Sequence, residues 1–197
     1  HEIGHNLGFG HSGLEGALTD VELEYGDRVG VMGNSGGDGL MCYNQHKNFF
    51  LPWYADQNNS IDPLDGETRD LLLHGVADYG DDPSAVISLR LQTPSSQLND
   101  YFVGFNRKSG VNADTAADPN LVTVVRAKKD SMRKSRKVAS LPPGSAYEIE
   151  DFDGNGSTVT VLFLALSDGK DATVRIFDGP LPTNTPTSAP TDAPTNA

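Results

Sequence analysis

The first eleven residues, HEIGHNLGFGH, carry three histidines and a glutamate at spacings that suit one metal ion. On an α-helix, residues four apart lie one turn above each other, so His1 and His5 present their imidazoles on the same face. Glu2 then projects beside the metal, where a carboxylate takes a proton from an attacking water whose pKa the ion lowers towards about 7. A continuing helix would carry His11 out of reach. Gly8 can adopt the left-handed conformation that ends a helix and turns the chain back, so His11 arrives from another direction. Three protein ligands leave a fourth position for water and substrate, which separates a catalytic zinc site from a closed structural one. Chance placement would require the glutamate, the glycine and every spacing to agree by accident, so the group is read as a site.

HExxHxxGxxH is the metzincin signature when a turn containing methionine follows. In YGDRVGVMGNS, Met32 lies 21 residues after His11, where a soft thioether can pack beneath the ligands; ordinary core filling is the plain alternative. Together with MCYNQHKNFFLPWY, HGVADYG and YFVGFNRKSGVNAD, these segments resemble the gametolysin family of peptidases, the algal cell-wall lytic enzymes. The likeness runs from His1 to about Arg126 and, more weakly, through ATVRIF. It implies a secreted zinc endopeptidase acting on extracellular matrix or wall glycoproteins, with His1, His5 and His11 as zinc ligands, Glu2 as general base and Met32 in the Met-turn. Two positions depart from the pattern. Asn34 stands where a tyrosine would add a ligand or oxyanion donor, and Pro52 stands where glycine is expected.

The elements that must position these residues fall into three zones, an α+β organisation. Residues 1–80 are Gly-rich and irregular and read as the C-terminal part of a metzincin-like catalytic domain, whose N-terminal part would precede His1. A helix over His1 to Leu7 is expected, ended by Gly8; LDGETRDLLLHGVADY fits helix or strand. Residues 81–178 alternate short Val-, Ile- and Phe-rich runs with turn signals, in AVISLRL, DYFVGF, LVTVVRA, AYEIEDF, STVTVLFLAL and ATVRIF, and are expected to form an all-β sandwich-like module. Residues 179–197 repeat Pro and Thr and read as a disordered linker or stalk. Because the motif starts at the first residue, these 197 residues alone are expected to lack the cap and sheet that steady the helix. They are expected to bind zinc weakly and to show no useful peptidase activity.

Net charge is −12, which argues against nucleic acid as a partner, and no apolar run reaches the roughly 20 residues that span a bilayer. Charge is unevenly spread: Arg126 to Lys137 holds seven basic residues and Asp130, a local +6 that leaves −18 elsewhere. That stretch reads as a solvated mobile loop, or else as a docking patch for an anionic wall polymer or a processing site. His46 and His74 read as surface or satisfied structural residues, and a disulfide partner for the lone Cys42 would lie upstream. DFDGNG, with Asp151, Asp153 and Asn155, copies the first half of a calcium loop, but Leu162 occupies the position of the bidentate glutamate. A hairpin turn is therefore preferred to Ca2+ there. The competing functional reading is a non-catalytic matrix or adhesion protein with a vestigial protease zone. Such a site would be expected to lose a ligand or its base first, and all four residues stand.

Overall fold

Strand-forming residues with inward Val, Leu and Phe must bury one face, and here two sheets do so against each other. The computed structural model describes residues 1–33 and 39–182. The architecture is mixed α and β with sheet predominating. Strands β1 (Ser12–Leu14), β2 (Asn58–Ile61), β4 (Ser88–Leu91), β5 (Asn99–Phe105), β6 (Val122–Lys128) and β7 (Ser135–Leu141) form one sheet, in the order β1-β7-β6-β5-β4-β2. Strands β3 (Arg69–Leu73), β8 (Ala146–Ile149), β9 (Val159–Ser167) and β10 (Asp171–Asp178) form the other, in the order β3-β10-β9-β8. Leu89, Leu91, Val103 and Val124 of the first meet Leu73, Val161, Phe163 and Val174 of the second in one core. At about 25 cal/mol per Å² of apolar surface removed from water, this cluster is the main source of stability.

The expected boundary at residue 80 does not separate these sheets. β1 and β2, from the first eighty residues, pair in parallel with β7 and β4 at the two edges of the first sheet, and β3 pairs antiparallel with β10. LDGETRDLLLHGVADY is thus resolved as strand β3 followed by a single 3-10 turn, Val76–Asp78. The tail remains attached through Gly179, whose N–H donates to the Thr158 carbonyl over 2.7 Å and whose carbonyl accepts from Thr160 Oγ1 over 2.6 Å. Beyond residue 182 the expected Pro/Thr stalk lies outside the described residues.

The basic stretch is not a solvated loop. It is the end of β6, a short connection and the start of β7, paired antiparallel with Arg126 opposite Arg136. Ser135 and Lys137 point inward, and Lys137 is held by an ion pair with Asp118. Helix α3 (Gln45–Phe50) covers the face of the first sheet away from the core, with Gln45 Nε2 donating to the carbonyls of Phe102 and Thr123. Its Lys47 is fully buried and donates to the carbonyls of Met132 and Arg133 and to Nδ1 of His46, anchoring the β6–β7 connection. His46 Nε2 donates to the Ser131 carbonyl over 2.8 Å, so this histidine is a satisfied structural residue, buried and not on the surface.

Burial lowers the Lys47 pKa from its usual value to about 7, against the opposing pull of the Asp27 carboxylate. An unfolded lysine keeps its proton to about pH 10.4, so between those values the folded chain binds fewer protons than the unfolded one, and stability rises with pH. Below about pH 7 both states are protonated and the burial cost is constant. The expected contribution is a rise of up to ~1.4 kcal/mol per pH unit across that window. Urea unfolding between about pH 6 and about pH 9 measures it, and Lys47→Met should remove the slope; an equal slope in that variant would assign it to other groups.

Candidate metal centre

Helix α1 (Glu2–Asn6) is only five residues long, and Gly8, at φ +87°, ends it in the left-handed region that favours glycine. The chain then reverses, and the Phe9 N–H donates to the Gly4 carbonyl. Residue 11 is delivered to the start of β1, where the His11 carbonyl accepts from Ser135 N–H over 3.2 Å. His1, His5 and His11 thereby converge: each offers one ring nitrogen, and the three nitrogens lie within 4.8 Å of one another.

The other nitrogen of every ring is engaged by an oxygen. His1 Nδ1 donates to the Val31 carbonyl over 2.8 Å, His5 Nδ1 to the Phe9 carbonyl over 2.9 Å and His11 Nδ1 to Glu24 Oε1 over 2.8 Å. Because carbonyl oxygens only accept, Nδ1 carries the proton in His1 and His5, leaving an Nε2 lone pair on each. Such bonds fix the tautomer and orientation that a metal-ligating imidazole needs. The Nε2 atoms of His5 and His11 stand 3.2 Å apart. A proton or a cation must sit between two such lone pairs, and a proton has no use for a third nitrogen close by. Tetrahedral zinc, at about 2.0–2.1 Å from each imidazole, sets its nitrogens about 3.4 Å apart, so the donor set fits zinc.

Glu24 comes from helix α2 (Asp20–Tyr25), capped by Thr19, whose Oγ1 accepts from Glu22 N–H over 3.2 Å while donating to Glu22 Oε2. The bond to His11, helped by Lys134 3.4 Å away, lowers the carboxyl pKa of Glu24. Tyr25 follows, with its ring 4.2 Å from that of His11. Sequence reasoning missed both residues. The available signal was the capping box Thr19-Asp20-Val21-Glu22, which marks a helix start and would have placed Glu24 and Tyr25 in its last turn. Glu24→Ala should weaken zinc binding by roughly 10- to 100-fold, the usual cost of losing a carboxylate behind a ligating histidine. Calorimetric titration with zinc decides it, and an unchanged affinity would remove Glu24 from the site.

Met32 lies under the cluster, 1% exposed, in a small second core with Phe9 and Leu51. A Cβ on Gly4 would stand 2.3 Å from Met32 Sδ, so the methionine sits directly against the helix between His1 and His5, and a larger residue at position 4 would have to displace it. Glu2 is exposed and has no side-chain partner among the described residues. The outer side of α1 is open, with Ile3 71% and Leu7 40% exposed. Beside His5 and His11 a cleft of about 410 Å³ opens, walled by Glu24, Arg133 and Lys134.

The remaining sequence candidates lie elsewhere. Asn34 is outside the described residues. Pro52 begins the 3-10 turn Pro52–Gln57, where a missing N–H costs no bond. His74 Nδ1 donates to Asp171 Oδ1 over 2.6 Å and ties the end of β3 to the start of β10. Cys42 is partly buried, which pushes its thiol up to about 11. Asp151 and Asp153 direct their carboxylates to their own loop: Asp151 Oδ1 accepts from Gly156 N–H, and Asp153 accepts from Asn155 N–H, Ser157 N–H and Ser157 Oγ. The loop joins β8 to β9 as an antiparallel hairpin.

No helix among the described residues is long and apolar enough to cross a membrane. No family model, curated protein or solved structure matches the chain.

Proposed function

We propose that His1, His5 and His11 hold a catalytic zinc ion and that the protein is a metzincin-type, gametolysin-like endopeptidase cutting secreted matrix or wall glycoproteins. The observation that carries the reading is the set of three imidazoles whose Nδ1 atoms are all occupied by oxygens, so that their Nε2 atoms converge beside an open cleft. A structural zinc site would close the fourth position with another protein ligand, and no fourth histidine, cysteine or carboxylate joins the group among the described residues. When bound, zinc would polarise the scissile carbonyl and acidify the attacking water. Glu2, next to the first ligand and exposed, would take the proton of that water and return it to the leaving nitrogen. Val31, Phe9 and Glu24 keep the ligand rings turned towards the metal through the reaction. Localisation outside the cell belongs to the same proposal and rests on the family resemblance.

The test joins two measurements on the full-length protein: metal content after dialysis, and hydrolysis of an internally quenched peptide with and without a zinc chelator. One zinc per chain with chelator-sensitive hydrolysis is the expected result. Zinc binding with no hydrolysis of any peptide or wall glycoprotein would favour the non-catalytic matrix reading.

A further inference from the structure

The cleft beside the metal centre does not end there. A second depression of about 240 Å³ shares His11, Glu24 and Lys134 with it and extends to Ser135 and Arg136. A third, of about 300 Å³, shares Lys134, Ser135 and Arg136 with the second and reaches Arg126 and Lys128. The three form one groove running from the imidazole cluster along the β6–β7 hairpin. Five cations line it: Arg126, Lys128, Arg133, Lys134 and Arg136.

Their acidic neighbours are fewer. Glu15 bridges Arg126 and Arg136 at 2.9 and 3.5 Å, Glu24 is shared between His11 and Lys134, and Asp20 lies on the wall of the second depression. Lys128 and Arg133 are exposed and have no acidic partner among the described residues. Strand pairing and the Lys47 anchor hold these cations in place, and a chain otherwise carrying −18 concentrates its positive field here. An acidic ligand is repelled by most of the surface and drawn to this groove, the arrangement that gives electrostatic selectivity.

We propose that this groove is the extended substrate-binding subsite and that it selects peptide segments rich in Asp and Glu next to the scissile bond. That the occupant is a peptide rests on the peptidase reading; that it is acidic rests on the groove alone. Nucleic acid is disfavoured as occupant because the acids interleaved at Glu15, Asp20 and Glu24 would meet a continuous run of phosphates.

The experiment uses the full-length protein carrying Glu2→Gln, so that no probe is cut, and reads fluorescence anisotropy of a labelled eight-residue peptide containing Glu at alternate positions, against its Gln counterpart. The Glu peptide is expected to bind about tenfold more tightly at low salt, as a few exposed ion pairs allow, and the preference is expected to fade as salt screens it. Lys128→Gln with Arg136→Gln should abolish the preference while leaving the Gln peptide within about twofold, and Arg133→Gln alone should reduce it. Equal binding of the two peptides, or a preference that survives the double variant, overturns the proposal. So does a sulfated glycan or single-stranded oligonucleotide that binds more tightly than the peptide and is lost in the same double variant. Anisotropy needs no catalysis, so a failure of the unsubstituted protein to hydrolyse peptides counts against the enzymatic reading only.

Discussion

Glu2→Gln in the full-length protein is expected to retain one zinc ion per chain while lowering kcat/KM for peptide hydrolysis by at least about a hundredfold, the lower range for removing a general base. The separation of the two effects follows from the layout. None of the three ring nitrogens depends on Glu2, because each imidazole is oriented by a different oxygen: the Val31 carbonyl, the Phe9 carbonyl and the Glu24 carboxylate. Glutamine preserves shape and helix propensity at the first position of α1 and removes only the capacity to accept the proton. Metal analysis beside a quenched-peptide assay reads both quantities. Loss of zinc together with activity would mean that Glu2 supports the site structurally, and full activity would remove it from the mechanism.

Asn44→Ala is expected to cost about 3 kcal/mol, or roughly 10 °C in thermal midpoint for a chain of this size. Asn44 is 2% exposed and joins four parts of the fold. Its Nδ2 donates to Asp27 Oδ2 over 2.7 Å, to Ser12 Oγ over 3.2 Å and to Ser135 Oγ over 3.3 Å, and its Oδ1 caps α3 by accepting from Lys47 N–H. Asp27 is fully buried, and burial already raises its carboxyl pKa against the bond from Asn44. Among the described residues, alanine leaves that carboxyl with the 3.3 Å bond from Val29 N–H. A carboxyl whose folded pKa lies above the unfolded value binds more protons when folded, so stability falls as pH rises through that interval. The deficit of Asn44→Ala should therefore be smaller at about pH 5 than at about pH 8. A midpoint within two degrees or so of the unsubstituted protein, at both pH values, would show that the network contributes nothing.

Lys137 and its strand illustrate what pattern reading misses. The polarity of Arg126 to Lys137 reads as an exposed loop, yet Ser135 and Lys137 face inward, one in the Asn44 network and the other paired with Asp118. Buried polar residues satisfied by partners far along the chain carry no local periodicity. β1 and β2 were missed for a related reason. SGL and NNSI are too short and polar to signal strands, and they exist because the edges of a sheet built mostly from later residues pair with them. The apolar runs that became β4, β5, β6, β8, β9 and β10 were legible because each carries its own inward-facing residues, independent of partner.

By itself the sequence determined which residues can meet at short range. Spacing of four puts His1 and His5 on one face, and Gly8 permits the turn that brings His11 back; both are consequences of backbone geometry within eleven residues. Tertiary structure alone decided what surrounds them. The carbonyl of Val31, the carboxylate of Glu24, the sulfur of Met32 against Gly4 and the cationic hairpin along the cleft come from 13 to more than 100 residues away. No local propensity encodes such distances. They follow from the burial of two sheets on one core, which sets where β1, β7 and the turn before Met32 must lie, and with them the second layer of the site.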